Sequence, residues 1–251
     1  MSLIIPMLSW SCMIVSGCER PGEPPGQSTT VSATQQPISS TRSEALPRSN
    51  QPNTGFTQVE ERPRIVALGD SLTAGLGVPA QESYPFRLQK LLDASGYHYQ
   101  VVNAGVSGDT TAGGLSRLEW VLKNQPRIVI LELGANDGLR GQPIKNIHEN
   151  LRKILQRLKD ADVKVLLTGM KIPPNYGLEY TTQFANVYTQ LATEFDVPFL
   201  PFFLEDVAAH RSLNQADGIH PTGEGYGIIV QNVLRALKPL LKDTSHNIQS
   251  S

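Results

Sequence analysis

The chain has 251 residues, 39% of them hydrophobic, with 22 basic against 23 acidic side chains and a net charge of −1. That length supports one substantial core with appendages, and the balanced charge, without a basic block or an aromatic-interleaved basic stripe, argues against nucleic acid as a partner. The two cysteines, Cys12 and Cys18, are both N-terminal, so the rest of the chain has no thiol for a disulfide, a zinc site or nucleophilic catalysis.

Leu3 to Val15 is mostly apolar but shorter than the ~20 residues that span a bilayer, which points to a cleaved signal rather than a transmembrane helix. The run ends in Val15-Ser16-Gly17-Cys18, which resembles the lipobox of bacterial lipoproteins, where the cysteine is acylated after cleavage before it. That resemblance implies a signal peptide over residues 1–18, lipidation at Cys18 and a membrane-anchored protein of the bacterial envelope facing the periplasm. From Glu19 to Arg62 the composition turns to Pro, Ser, Thr, Gln and Gly with few large apolar residues. Such a segment buries too little surface to offset the entropy of ordering it, so residues 19–62 are expected to be a disordered linker.

After Arg62 short apolar runs alternate with amphipathic stretches. The predicted strands are Arg64 to Leu68, His98 to Asn103, Arg127 to Leu133, Val163 to Met170 and Val197 to Leu200. Helical spacing recurs in Tyr84, Leu88, Leu91 and Leu92, in Ile147, Leu151, Ile154, Leu155 and Leu158, and in Val230, Leu234, Leu237 and Leu241. Alternation of this kind predicts a doubly wound α/β domain, three layers with a parallel sheet in the middle, over residues 63–242, followed by a flexible tail, 243–251. An open parallel sheet binds ligands beyond the C-terminal ends of its strands, so the loops there should carry the chemistry.

Those loops are unusual. The first strand leads into GDSLTAG (69–75), the second into NAGVSGDTT (103–111) and the third into GANDG (134–138), and DGIHP (217–221) comes near the end. A glycine-rich turn after a strand can cradle phosphate or present a nucleophile. GDSLTAG lacks the lysine and the G-x-x-x-x-G-K spacing of a phosphate loop, which favours Ser71 as a nucleophile. A serine hydroxyl needs a base at neutral pH, and an imidazole, with an unperturbed pKa of ~6.5, suits that task; His220 is the candidate. Asp217, three residues earlier, can accept its other ring N–H. Attack on a carbonyl creates an oxyanion that needs fixed donors, each worth ~3 kcal/mol, and the N–H groups of Ser71 and Gly108 with the Asn136 amide fit that role. No metal-ligand pattern occurs, so neither a metal nor a cofactor is implied.

The blocks GDSLTAG, SGDTT, GANDG and DGIHP resemble, in order and spacing, the four blocks of the SGNH (GDSL) hydrolases. Further segments, among them YPFRLQKLL, LELGANDGLRGQP, PPNYG and EFDVPFLPFFLEDVA, are similar to the bacterial acyl thioesterase, lysophospholipase and arylesterase subgroup, and the likeness runs from about Arg64 to Leu241. The resemblance implies a single flavodoxin-like domain and an ester or thioester hydrolase working through an acyl-serine intermediate. It assigns Ser71 as nucleophile, Asp217 and His220 as its catalytic partners, and Ser71, Gly108 and Asn136 as oxyanion donors. Gly138, Leu139 and Tyr176 are expected to border the acyl groove. The implied partners are acyl esters, thioesters or lysophospholipids, plus a membrane through the anchor, with the protein itself a monomer.

Each block also has a plainer explanation. A Gly-Asp-Ser turn is common between a strand and a helix, and His220 before Pro221 and Thr222 can mark a helix start. Four such blocks after successive elements are harder to explain that way. Asp70, Asp109 and Asp137 sit in glycine-rich turns where Asp bonds nearby backbone, and structural roles are expected. Glu132 interrupts a strand that should be buried on both faces, and nothing in the sequence accounts for it. Two other functions stay open at this point: a carbohydrate O-acetyl esterase, and a lipid-binding lipoprotein with an inactive hydrolase fold.

Overall fold

The computed structural model describes residues 62–241. The predicted signal peptide, Cys18, the linker up to Glu61 and the tail lie outside the described residues.

Five strands form one parallel sheet in the order β2-β1-β3-β4-β5: β1 (Arg64–Gly69), β2 (Gln100–Gly105), β3 (Pro126–Glu132), β4 (Lys164–Thr168) and β5 (Phe199–Leu200). The eight helices of the described region are α1 (Ser71–Ala74), α2 (Tyr84–Ala94), α3 (Thr111–Ser116), α4 (Leu118–Lys123), α5 (Ala135–Leu139), α6 (Ile144–Asp160), α7 (Leu178–Phe195) and α8 (Gly223–Leu237). α2 packs on α8, whereas α6 packs on both α3 and α7. Those two groups are the helical layers that cover the sheet, as parallel crossovers require.

The inner strands are apolar on both faces: Ile65 to Leu68 of β1 and Ile128 to Leu131 of β3 are wholly buried, as a covered parallel sheet demands. α6 turns one stripe inward, with Ile147, Leu151, Ile154, Leu155 and Leu158 buried. Each such side chain contributes roughly 1.5–3 kcal/mol on burial. α7 was not foreseen from the sequence, although Phe184, Val187, Tyr188, Leu191 and Phe195 follow helical spacing and are buried. Its apolar stripe is diluted by Thr, Gln and Ala on the turns between. β2 starts two residues later than expected, because His98 and Tyr99 belong to the irregular link that follows the turn after α2.

From β1 the chain crosses to β2 at one edge, then returns past β1 to β3. Between the C-terminal ends of β1 and β3 the winding direction therefore reverses, which opens a crevice there. Ser71 follows β1 and Asn136 follows β3, so both flank that crevice.

Candidate active site

The nucleophile turn is built without slack. Gly69 ends β1, and a Cβ there would run into Thr73 and Glu132. Asp70 caps α1, its Oδ1 accepting the Leu72 N–H at 3.0 Å. Ser71 is thus the first residue of a one-turn helix that ends at Gly75, in the left-handed region with φ 81°. Tyr226 of α8, itself buried, donates its hydroxyl to the Leu72 carbonyl at 2.9 Å and fixes this turn from the side.

The base arrives on the loop before α8. His220 Nε2 lies 2.9 Å from Ser71 Oγ, and His220 Nδ1 lies 2.7 Å from Asp217 Oδ2. With Nδ1–H donating to the carboxylate, Nε2 is left as the acceptor for the serine proton. Asp217 Oδ1 also accepts the backbone N–H groups of Ile219 and His220, at 2.9 and 3.0 Å. The His220 backbone N–H, the His220 ring and the Ile219 N–H together hold the Asp217 carboxyl down at about 2, so it is ionised at neutral pH. Gln215 docks the loop, its amide donating to the carbonyls of Leu76 and Pro221 at 2.8 and 2.9 Å.

Donors converge from two further loops. Asn136 Nδ2 donates one N–H to Asp70 Oδ2 at 3.0 Å, which leaves its second N–H for a ligand. Gly108 adopts φ 81°, a left-handed conformation suited to glycine, and its carbonyl accepts from Arg140 at 3.2 Å. The loop is held further by Asp137, whose carboxylate accepts the Thr111 N–H at 2.8 Å and the Thr111 hydroxyl at 2.7 Å. Arg117 spans the strand ends, donating to Asp109 at 2.7 Å, to the Ala104 carbonyl at 2.8 Å and to the Gly69 carbonyl at 2.9 Å.

Ser71, Asn136 and His220 share the lining of a cleft of about 510 Å³ with apolar side chains that include Leu139, Met170, Ile172 and Phe202. A volume of that order suits a small organic ligand. Among the described residues no group of three His, Cys, Asp or Glu side chains is arranged to hold a metal ion. Such a site can add a serine oxygen to a carbonyl, stabilise the resulting anion and move a proton.

The profile of the GDSL-like Lipase/Acylhydrolase family matches residues 67–228. The chain belongs to that family. It is 42% identical over 187 residues to the esterase TesA of Pseudomonas aeruginosa, an alignment covering 74% of this chain and 93% of that protein. With thioesterase 1/protease 1/lysophospholipase L1 of Escherichia coli K12 the identity is 43% over 182 residues, covering 72% and 86%. Among solved structures, the psychrotrophic esterase EstA from a Pseudoalteromonas species, inhibited by monoethylphosphonate, superposes with a TM-score of 0.67 at 34% identity, covering 70% of this chain and 97% of that one. This GDSL-family protein is a carboxylic ester hydrolase.

The fold brings Ser71, Asp217 and His220 into one hydrogen-bonded chain and places Gly108 on the loop after β2 and Asn136 at the start of α5. Of the residues expected to border the groove, Leu139 lines the cleft. Gly138 instead lies against Ile172 and Phe184, where an added Cβ would come within 2.7–2.8 Å of both, so it lets α5 pack closely behind the wall. Tyr176 supports the wall through its hydroxyl, which donates to the Leu139 carbonyl at 2.8 Å. Arg117, Gln215, Thr73 and Thr111 escaped sequence reasoning, because each works through a tertiary partner that no local pattern announces.

Proposed function

We propose that this protein hydrolyses medium to long acyl esters and thioesters, lysophospholipids included, through an acyl-Ser71 intermediate. The carrying observation is the 2.9 Å contact between His220 Nε2 and Ser71 Oγ, backed by Asp217 at 2.7 Å, on the wall of an apolar cleft. Ser71 Oγ adds to the acyl carbonyl as its proton passes to His220. The oxyanion takes hydrogen bonds from the Ser71 and Gly108 N–H groups and from Asn136 Nδ2. Collapse expels the alcohol or thiol, which leaves with the proton from His220. Water, deprotonated by the same imidazole, then attacks the acyl-serine; the acid departs and Ser71 recovers its proton.

The apolar lining supports an acyl chain rather than an acetyl group, and the names of the relatives support esters, thioesters and lysophospholipids as leaving-group classes. The lipobox-like sequence at Cys18 supports a lipid anchor, with the hydrolase domain tethered at the periplasmic side of an envelope membrane. A series of p-nitrophenyl esters and acyl-CoA thioesters of rising chain length tests the substrate assignment. We expect kcat/KM to climb by up to about fourfold per methylene until the cleft is filled, the limit set by ~0.8 kcal/mol for each buried CH2. Turnover of acetylated sugars with none of octanoyl esters overturns it in favour of an O-acetyl esterase, and failure of a fluorophosphonate to label Ser71 overturns it in favour of a lipid-binding protein.

A further inference from the structure

Glu132, the last residue of β3, is fully buried and has no place in the proton path above. Its Oε2 accepts the Thr73 hydroxyl at 2.8 Å and the Asp70 N–H at 3.3 Å, while Oε1 has no partner among the described residues. An ionised oxygen so placed would be costly. Beside it lies Asp70, also fully buried, with Oδ1 on the Leu72 N–H and Oδ2 on the Asn136 amide. Two adjacent buried carboxyls resist holding two charges, so the pair keeps a proton that its surroundings must allocate.

The surroundings allocate it to Glu132. Burial and the neighbouring Asp70 push the Glu132 carboxyl well up, whereas burial raises Asp70 only to about 6 because the Leu72 N–H and the Asn136 amide favour its anion. The other groups facing the pair are Thr73 of α1, Tyr84 of α2, Tyr188 of α7, Tyr226 of α8 and the His220 ring, which Asp70 senses electrostatically. Burial pushes all three tyrosine hydroxyls up, so they stay neutral.

We propose that Glu132 is a positioning residue of the oxyanion hole: from beneath the nucleophile turn it fixes Asp70, and Asp70 in turn aims the Asn136 amide at the oxyanion. The chain of contacts runs from Thr73 to Glu132, to the Asp70 backbone, and through the Asp70 carboxylate to Asn136. An asparagine amide anchored by one N–H has its other N–H direction set. Unanchored, it turns about its terminal torsion, whose well is broad. The strand that should be uniformly apolar thus carries a carboxyl because the donor on the next loop depends on it. The proposal rests on the serine-hydrolase mechanism above.

The test is a kinetic cycle on the full chain with p-nitrophenyl butyrate, comparing wild type, Glu132→Leu, Asn136→Ala and the double variant. Asn136→Ala and Glu132→Leu should each lower kcat by about 100-fold with KM unchanged, the scale of losing one oxyanion donor. In the double variant the loss should stay within about threefold of Asn136→Ala alone, since residues that act as a unit are not additive. Glu132→Gln should rescue, with kcat within about threefold of wild type, because its amide oxygen can still accept from Thr73 and Asp70. Its acid limb in kcat/KM should coincide with that of wild type, since one neutral group replaces another.

Multiplying losses in the double variant, or a Gln variant as slow as the Leu variant, overturns the proposal. If Glu132→Leu does not fold by circular dichroism, the Gln variant decides alone: a folded Gln variant that loses kcat by about 100-fold means that acceptance from the Thr73 hydroxyl and the Asp70 N–H does not set the donor, and the proposal fails. Fluorophosphonate labelling of wild type separates the two levels. An unlabelled Ser71 removes the underlying mechanism, whereas a labelled Ser71 with multiplicative losses removes only the role of Glu132.

Discussion

The two halves of the site are held by different physics. On the nucleophile side Asp70, Thr73 and Glu132 are wholly buried, and the Thr73–Glu132 and Asp70–Asn136 contacts join residues more than 50 positions apart in sequence. On the base side Asp217 is 46% exposed and reaches His220, three residues on, within one loop. The buried half supplies fixed donors that cannot reorganise when charge develops, which is where preorganised dipoles are worth most. The exposed half must pass protons and let alcohol and water through, so a short local hydrogen-bonded turn suffices. Rigidity is concentrated where charge appears, and access where atoms move.

The largest break in that contrast comes from the nucleophile itself. Ser71→Ala should lower kcat by roughly 10⁶-fold while leaving the thermal midpoint nearly unchanged, since a lone cleft hydroxyl contributes little packing. Ester hydrolysis assays with parallel melting curves check both halves of that statement, and unfolding of the variant would return Ser71 to a structural role. Asp217→Asn should cost less, about 10⁴-fold. The amide oxygen can still accept the Ile219 and His220 N–H groups, yet it favours the wrong imidazole tautomer. A loss as large as that of Ser71→Ala would mean that the base loop collapses without its carboxylate.

The same division explains what could be read from the chain. Asp217 and His220 stand three residues apart, and the fold closes that contact with a local turn, so DGIHP carries its own geometry. Strand positions were legible because Ile65 to Leu68 and Ile128 to Leu131 are apolar without interruption. Glu132 was visible only as an anomaly, because its explanation sits on Thr73 and Asp70 of another strand's loop. Gly138 was placed in the groove by its block, whereas its packing against Ile172 and Phe184 depends on α7, the helix that the sequence did not announce.

Arg117 tests how far the buried half depends on cross-links between strands. Its guanidinium reaches Asp109 and the carbonyls of Ala104 and Gly69 at once, and the compact ammonium of lysine cannot reproduce that fork. Arg117→Lys should cost about 2–3 kcal/mol, lowering the thermal midpoint by roughly 4–12 °C. Gly69 lies two residues before Ser71 and Asp109 one after Gly108, so a kcat loss of about tenfold should accompany it. Lower stability with unchanged kcat would show that the fork holds the strands together without tuning the donors.

The smallest effect concerns the protons stored under the nucleophile turn. Both carboxyls of that pair are raised in the fold, Asp70 from 3.8 to about 6 and Glu132 further up, chiefly by burial. An acid raised on folding contributes stability that is complete below its unfolded value near 4 and is lost as pH climbs through the folded value. Asp70 therefore contributes a falling slope from about pH 4 to 6 that flattens above it. Glu132, for as long as it stays protonated in the fold, continues to remove about 1.4 kcal/mol for each further pH unit. Glu132→Gln abolishes that second slope and leaves the first. Thermal midpoints measured from pH 5 to 8 should lie nearest each other at the acid end, with the variant gaining on wild type by about 3–6 °C in Tm per pH unit as alkalinity rises. Parallel curves would mean that Glu132 is ionised in the folded enzyme, and the buried half would then hold two charges where its hydrogen bonds provide for one.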